Sequence, residues 1–325
     1  MDTSFERQYP RLQSMEARLE RQAGLIMEEK RILITGSNGL VGTYFCRLTA
    51  LTKYRVYTLF HLEPTNFENS YSVDLSNSPG VFRQVLDEVA PDIIVHLAAM
   101  TDVDQCEIER NTADKINHLS VKELVNYMGN NKECFLLYVS TDYVFDGEKG
   151  DYVESDEPNP VNWYGMTKLL GEQELFESNP ERWCIARTST PFGVHAKKLS
   201  FPSFVVKNLC QEHEINVLTD QITSPTYALN LAEMMLELID NRIVGIMHLS
   251  GSSQISRFKQ ALEIASAYDL DKELIKPARI SEMNWKARRP KNSSLNITRA
   301  CNTLTKKPMK FKESLLLFAG VTLDR

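Results

Sequence analysis

Short, almost wholly apolar segments alternate with longer stretches of mixed polarity in the first 190 residues. The short segments predict buried strands at 31–35, 55–60, 92–99, 134–140 and 183–187. The stretches between them predict helices at 40–52, 80–89, 107–130 and 163–177. Apolar strands that alternate with helices are typical of a parallel sheet covered on both faces. The pattern therefore predicts an α/β fold with a doubly wound parallel sheet.

The alternation loosens beyond about residue 190. This half predicts helices at 199–212, 227–240, 256–268 and 311–319. It also predicts two short strands, at 215–218 and 245–250. We therefore expect a first domain at 30–190. A smaller mixed α/β domain should cover most of 191–325, with some segments returning to the first domain.

Residues 1–29 form a charged extension in front of the first strand. Apolar side chains recur there at three- and four-residue spacing, at Leu12, Met15, Leu19, Ala23 and Ile26. A short amphipathic helix and a disordered tail both fit this pattern. As a helix, the extension would be a candidate segment for docking a partner protein or for oligomerisation.

Composition and charge exclude several classes of protein. The 37 basic and 43 acidic residues give a net charge of −6, which excludes a generally basic surface that coats nucleic acid. No apolar run approaches the roughly 18 residues of a membrane span, and residues 1–30 lack the apolar core of a signal peptide. The six cysteines are scattered, and no Cys or His spacing indicates a metal site. We therefore expect a cytoplasmic protein with reduced cysteines, no membrane contact and no metal.

The first predicted strand is followed at once by the glycine-rich sequence GSNGLVG (36–42) and then by a predicted helix. Gly36, Gly39 and Gly42 suit a tight turn, close approach to a pyrophosphate and close packing of helix on strand. The helix N-terminus, with its unpaired N–H groups, favours phosphate. This arrangement predicts a dinucleotide site that includes Asn38, Leu40 and Val41, with a purely structural turn as the alternative. The first domain is then the dinucleotide-binding domain, and the second mainly binds substrate.

The preference between NADH and NADPH is weakly marked. The second predicted strand ends near Phe60 without a well-placed acid for a ribose or an arginine for a 2′-phosphate. His61 follows and can contact a phosphate. NADPH is slightly favoured, and NADH remains open.

Tyr164 and Lys168 form a YxxxK pattern on a predicted helix. Residues at i and i+4 share one helical face, so the phenol and the ammonium should enter the same cleft. A nearby ammonium is expected to lower the pKa of the phenol towards working pH. Thr141 ends a predicted strand, at the sheet edge where such folds bind ligands. The three residues predict a catalytic triad that transfers a proton during reduction of a carbonyl; an exposed Tyr and Lys are the alternative.

Several segments resemble the dTDP-4-dehydrorhamnose reductases, which are extended short-chain dehydrogenase/reductases of the Rossmann type. They are HLAAMTDVDQCE (96–107), STDYVFDG (140–147), YxExDxPxPxxxYGxTKxxGE (152–172), DQxxxPT (220–226) and RPxNSxL (289–295). The spacing GxxGxxG is also typical of the extended subclass. The similarity runs in order from about residue 31 to residue 318.

The resemblance implies a role for each matching residue. Thr141 would bind the substrate 4-keto oxygen, Tyr164 would donate the proton, and Lys168 would tune Tyr164 and hold the nicotinamide ribose. Further cofactor contacts would come from Asp74 at the adenine, and from Leu75, Leu97, Ala98 and Ala99. The substrate would meet Thr101, Val103, Asp104, Asp142, Tyr143 and Arg289, with Arg289 at the diphosphate. Asn117 would lie beside a bend of the active-site helix, and the alternative is an ordinary residue on a helix surface. For Asp74 the alternative to the adenine contact is a surface residue that caps the next helix.

The implied activity is NAD(P)H-dependent reduction of the 4-keto group of a nucleotide-activated 4-keto-6-deoxy sugar, with dTDP-4-dehydro-L-rhamnose as leading substrate. The segment 190–205 departs from the family pattern, as does Asn296, which stands in place of an Asp. A dehydratase fits less well, because Tyr143 stands where those enzymes carry Glu. The regulatory β subunit of methionine adenosyltransferase is also similar, so a non-catalytic, NADP-binding subunit stays open. A homodimer is typical of the family.

Overall fold

A computed structural model describes residues 29–62, 65–77, 79–197 and 199–320 of the chain. The helix or tail predicted for residues 1–29 lies outside the described residues, except for residue 29. The fold is therefore described from the start of the first strand onward.

The central sheet contains seven parallel strands and confirms the predicted fold class. In chain order the described strands are β1 (Arg31–Thr35), β2 (Arg55–Phe60), β3 (Ser70–Ser72), β4 (Ile93–His96), β5 (Phe135–Thr141), β6 (Trp183–Thr188), β7 (Pro191–Phe192), β8 (Ile215–Leu218), β9 (Ile222–Thr223), β10 (Thr226–Tyr227), β11 (Gly245–His248), β12 (Ile255–Ser256) and β13 (Ile275–Ala278). The order across the central sheet is β11-β6-β5-β4-β1-β2-β3. Short strand β3 was not predicted, because its Ser-Tyr-Ser sequence is not apolar.

Helices cover both faces of this sheet. The described α-helices are α1 (Leu40–Thr49), α2 (Pro79–Val89), α3 (Val103–Ile108), α4 (Arg110–Asp114), α5 (Ser120–Asn130), α6 (Trp163–Phe176), α7 (Phe201–Cys210), α8 (Ala228–Asp240), α9 (Arg257–Ala267), α10 (Thr298–Thr303) and α11 (Phe311–Gly320). The single helix predicted over 107–130 is wrong, because the segment is divided into α3, α4, a π-helical turn at Lys115–Leu119, and α5. Within the described parts of the chain, no helix is both long and apolar enough to cross a membrane.

The two faces of the sheet carry separate hydrophobic cores. On β1, Ile32 and Ile34 belong to one core, which also contains side chains of α1 and α8. Leu33 points to the other face and belongs to a core shared with α2 and α5. Successive residues of a strand point to opposite faces, so a wholly apolar strand fills both cores. Each such side chain contributes roughly 1.5–3 kcal/mol when it is fully buried.

The second half of the chain builds a smaller layer and also returns to the central sheet. Strands β8 and β13 pair in parallel, and helices α7, α9 and α11 pack around a third core that includes Phe192, Ile264 and Phe318. Strand β11 pairs with β6 at the edge of the central sheet. The domain boundary at residue 190 stays a prediction.

Candidate active site

A cleft of about 1280 Å³ crosses the carboxyl edge of the central sheet. It begins at the glycine-rich turn after β1 and extends past the end of β5 to helices of the second half. Of the predicted cofactor residues, the cleft is lined by Gly36, Asn38, Gly39, Leu40, Val41, Gly42, His61, Asp74, Leu75, Leu97, Ala98, Ala99, Tyr164 and Lys168. Of the predicted substrate residues, it is lined by Thr101, Val103, Thr141, Asp142 and Tyr143.

The glycine-rich turn has no room for side chains at two positions. Gly36 has φ +67°, and a Cβ there would lie 2.6 Å from the backbone nitrogen of Ala98. A Cβ on Gly42 would lie 2.2 Å from the carbonyl oxygen of Gly36. Helix α1 begins directly after Gly39, so the residues of its first turn, with their unpaired N–H groups, line the cleft. These features fit a dinucleotide whose pyrophosphate lies against the backbone.

Asp74 lies at the far end of the cleft, beyond β3. Its carboxylate accepts hydrogen bonds from the backbone N–H and hydroxyl of Ser76 and from the amide of Asn77. Hydrogen bonds from Ser76, the largest cause, and from Asn77 lower the pKa of Asp74, with a smaller contribution from His61, whose Nε2 lies 3.7 Å away. Asp74 therefore stabilises the turn before α2 and also lies on the cleft wall, so its adenine contact stays a prediction.

Thr141, Tyr164 and Lys168 meet on the opposite side of the glycine-rich turn. Thr141 is the last residue of β5, and its Oγ1 accepts the N–H of Tyr143 at 3.1 Å. The same hydroxyl lies beside the phenol of Tyr164 and acts to lower its pKa. Asn162 begins helix α6 by accepting the N–H of Gly165, which sets Tyr164 in the first turn and Lys168 one turn later. The three residues thus line one cleft at the carboxyl edge of the sheet, with the Thr141 hydroxyl beside the phenol, and their action as a catalytic triad stays a prediction.

The electrostatics of this group differ from the expectation. Burial raises the pKa of Tyr164 above its ordinary value, against a lowering contribution from Thr141. Burial lowers the pKa of Lys168 to about 7, against the opposing charge of Glu172. The ammonium lies over the ring of Tyr138, 4.1 Å from its centroid. The expected lowering of the Tyr164 pKa by Lys168 is therefore wrong for the chain by itself, because desolvation is the larger effect.

Asp142 and Tyr143 have defined partners beside the triad. The carboxylate of Asp142 is buried and accepts hydrogen bonds from the hydroxyls of Thr141, Ser189 and Ser293. Burial raises its pKa. The ring of Tyr143 packs edge-on against Tyr164, with centroids 5.8 Å apart. Asp142 thus organises hydroxyl groups, while Tyr143 forms the wall next to the phenol.

Asp104 and Arg289 are not among the residues that line the cleft. Asp104 Oδ1 accepts the N–H groups of Lys286 and Ala287, and its other oxygen lies 3.2 Å from Arg289 Nη2. Arg289 also lies over the ring of Trp285. The two predicted substrate residues therefore pair with each other and attach α3 to the 285–289 segment.

Asn117 is buried in the π-helical turn. Its side-chain oxygen accepts the N–H of Met100 at 2.8 Å, and its amide donates to the carbonyl of Met100 and to the hydroxyl of Thr167. It therefore ties the bend to the strand-end loop and to helix α6, and the surface alternative does not hold. Sequence reasoning missed the cleft-lining residues of the second half, among them Phe201, Arg257 and Gln260. For Arg257, the available sequence signal was its position at the start of the helix predicted over 256–268.

Comparisons with known proteins agree with this geometry. Residues 30–320 match the family described as the RmlD substrate binding domain. A probable low-salt glycan biosynthesis reductase, Agl14, from Haloferax volcanii is 32% identical over 270 residues, which are 82% of this chain and 89% of that protein. Methionine adenosyltransferase 2 subunit beta from Rattus norvegicus is 30% identical over 285 residues, 83% of this chain and 81% of that one. A solved dTDP-4-dehydrorhamnose reductase from Bacillus anthracis, in complex with NADP, is 31% identical with a TM-score of 0.80, covering 90% of this chain and 100% of that one.

Proposed function

This chain belongs to the RmlD substrate binding domain family, and from that membership we propose that it is an NAD(P)H-dependent reductase of nucleotide-activated 4-keto-6-deoxy sugars. The leading substrate is dTDP-4-dehydro-L-rhamnose, which would become dTDP-L-rhamnose. The name of the similar Bacillus anthracis protein supports this substrate, and its bound NADP supports a nicotinamide cofactor. The proposal depends above all on one observation: the phenol of Tyr164 lies beside the Thr141 hydroxyl, which lowers its pKa, one helical turn from Lys168 in the cleft that begins at the glycine-rich turn.

The chain's own residues fit a nicotinamide dinucleotide. The backbone at Gly36 and Gly42, where a Cβ has no room, would receive the pyrophosphate. Lys168 would hold the nicotinamide ribose and Asp74 would contact the adenine. When bound, the nicotinamide supplies a hydride to the carbonyl carbon. We favour NADPH, because His61 follows β2, lines the cleft and can contact a 2′-phosphate.

Tyr164 would donate the proton that the reduced oxygen needs. Its raised pKa keeps the phenol protonated in the chain by itself, so a proton is available at the hydroxyl. Thr141, whose hydroxyl lies beside that phenol, would orient the substrate carbonyl. Once Tyr164 has lost its proton, the nearby ammonium of Lys168 would stabilise the phenolate.

The test is NAD(P)H oxidation by the purified full chain with a panel of nucleotide-linked 4-keto-6-deoxy sugars, with NADH and NADPH run separately. We expect turnover with at least one sugar, and a fall of about 10²–10⁴-fold in Tyr164→Phe. Binding of NADPH should change little in that variant, because its phenol hydroxyl is not needed at the pyrophosphate or adenine. Near-normal turnover by Tyr164→Phe would contradict the assigned proton donor.

A second candidate is a non-catalytic regulatory subunit that binds NADP and a partner enzyme. The similarity to methionine adenosyltransferase 2 subunit beta favours it. NADPH binding without turnover of any sugar in the panel, together with a stable complex with a methionine adenosyltransferase catalytic subunit, would favour this candidate over the reductase.

A further inference from the structure

Arg257 places a guanidinium in the part of the cleft that the cofactor residues do not use. It is the first residue of α9, and its backbone N–H donates to the carbonyl of Gln221. Its charge acts on Tyr143 and Asp142, which follow β5. In the central sheet, β5 lies on one side of β1, whereas β2 and β3, which precede His61 and Asp74, lie on the other. Arg257 is therefore at the end of the cleft opposite the predicted adenine contact.

Among the described residues, no carboxylate forms an ion pair with the guanidinium of Arg257, although the charge of Asp142 acts on it. Its contacts within the described residues are the ring of Phe201, 4.8 Å from the guanidinium carbon, and a long 3.5 Å contact to Gln260 Oε1. Burial lowers its pKa from the ordinary value, with opposing contributions from Tyr143 and Asp142. An arginine stays charged in proteins even so. A partly desolvated cation with weak partners gains most from an anionic ligand.

The carboxylates of the cleft are engaged elsewhere. Among the described lining residues, the acids are Asp74 and Asp142. Asp74 lies at the predicted adenine end, and both oxygens of Asp142 accept hydroxyl hydrogen bonds. The end of the cleft next to the predicted triad is therefore lined by the cation Arg257 and by Lys168, whose pKa burial lowers to about 7. Lys168 lies over the ring of Tyr138 and is assigned to the cofactor, which leaves Arg257 and Arg289 as the cations whose charges act on Tyr143.

Arg289, which the resemblance places at the diphosphate, is already paired. It forms an ion pair and a second hydrogen bond with Asp104, and it donates to the carbonyl of Ala287. A guanidinium held by a carboxylate would have to give up that pair before it could bind a phosphate. Within the described part of the chain, Arg257 forms no ion pair that a phosphate would have to displace.

We propose that Arg257 is the residue that binds the diphosphate of the nucleotide-sugar substrate. The assignment rests on the proposed function, and it extends that function to a residue outside the family's motifs. In a pyranose, C4 and the diphosphate-bearing C1 lie at opposite sides of the ring. A sugar whose C4 carbonyl meets Tyr164 can therefore direct its diphosphate past Tyr143 towards Arg257. The planar guanidinium can donate two parallel hydrogen bonds to two phosphate oxygens.

Calorimetry on the NADPH-saturated full chain tests this assignment without turnover. Saturation keeps the probes, dTDP, UDP, GDP and thymidine, out of the cofactor site. We expect at least one diphosphate to bind, and Arg257→Gln to weaken it about 10- to 100-fold, which corresponds to one lost charge-assisted contact. Arg257→Lys should fall between the two, because it keeps the charge without the planar fork. Lys259→Gln, an equal charge change at an exposed position of the same helix, should have no effect on this affinity.

Three results would overturn the assignment. They are equal diphosphate affinity in Arg257→Gln and the unchanged chain, a loss in Arg289→Gln instead, and no diphosphate binding by the unchanged chain. The NADPH affinity of each variant confirms an intact fold, and Arg257→Lys keeps the test valid if the Gln variant is unstable. Sugar turnover measured in parallel separates the two proposals. If the sugar is reduced equally well with and without Arg257, only the diphosphate role of Arg257 is contradicted. If diphosphate binding depends on Arg257 but no sugar is reduced, only the proposed reductase function is contradicted.

Discussion

Glu172 and Arg187 form an ion pair enclosed between helix α6 and the central sheet. Arg187 Nη2 lies 2.5 Å from Glu172 Oε2, and Arg187 Nε lies 3.0 Å from Glu172 Oε1. The two side chains are 1% and 0% exposed. Glu172 lies one turn beyond Lys168, and its charge opposes the lowering of the Lys168 pKa by burial. The pair therefore attaches helix α6 to strand β6, and Glu172 affects the charge of Lys168.

Removing one partner of this pair should be costly. Arg187→Met leaves the carboxylate of Glu172 buried without its cation, and we expect a loss of about 3–5 kcal/mol in the free energy of unfolding. Urea denaturation measures it. Lys122→Met is the matched control. The side chain of Lys122, in α5, is 54% exposed and pairs with Glu174 of α6, so its loss should lower the free energy of unfolding by less than about 1 kcal/mol.

The double variant Glu172→Met/Arg187→Met separates charge from packing. With both charges gone, most of the lost stability should return, since apolar side chains often replace a buried ion pair at little cost. A double variant no more stable than Arg187→Met would show that lost packing, rather than the unpaired charge, is the cause.

The sheet and the triad were predictable because both depend on local pattern. Strand β1 and the glycine-rich turn are contiguous in sequence, and Tyr164 and Lys168 are related by helical geometry alone. Thr141 could be placed because the carboxyl ends of parallel strands share one edge. Each of these predictions needed only the identity of neighbouring residues and the rules of strand and helix.

The remaining site residues depend on contacts between distant segments. Asp104 and Arg289 are 185 positions apart, and no periodicity reports that they pair with each other. Arg257 reaches the cleft only because α9 packs in the second half. The π-helical turn follows from three side-chain hydrogen bonds of Asn117, which override the continuous helical pattern of 107–130. Long-range pairing of this kind leaves no signature in one sequence.

The close approach at Gly36 predicts a strong effect of one methyl group. Gly36→Ala would place a Cβ 2.6 Å from the Ala98 nitrogen on a residue with φ +67°, so the turn must move. We expect NADPH affinity to fall more than tenfold, measured by fluorescence titration, with a loss of stability of about 1–3 kcal/mol. Gly129→Ala, in helix α5 with open space at its Cβ, should leave cofactor affinity unchanged. Equal affinity in both variants would contradict the pyrophosphate site.

Asn117 should matter for stability more than an ordinary helix asparagine does. Asn117→Ala removes the partner of the Met100 N–H and one of the two partners of its carbonyl, which keeps the Cys106 thiol; a buried group left unsatisfied costs about 1–3 kcal/mol. Thermal denaturation should show the loss. Asn208→Ala, which removes one hydrogen bond to the Phe204 carbonyl, should cost no more than about 1.5 kcal/mol. A loss in Asn117→Ala no larger than in Asn208→Ala would mean that the bend does not depend on this side chain.

Lys168 predicts a pH dependence of stability with a definite sign. Burial lowers its pKa from 10.5 to about 7 in the folded chain. Between these values the unfolded chain binds the proton and the folded chain does not, so the free energy of unfolding should rise with pH, by up to about 1.4 kcal/mol per pH unit. Below about pH 7 the lysine is charged in both states, and its burial penalty is constant.

The contribution of Lys168 can be isolated by difference. Urea denaturation of the unchanged chain and of Lys168→Met, between pH 6 and 9, cancels the groups that both proteins share. The difference in unfolding free energy should be flat near pH 6 and should then shift in favour of the unchanged chain above pH 7. Such a shift requires a neutral amine in the folded protein, because a charged Lys168 would exchange no proton on unfolding. A flat difference up to pH 9 would mean that the carboxylate of Glu172 outweighs burial and keeps the ammonium charged.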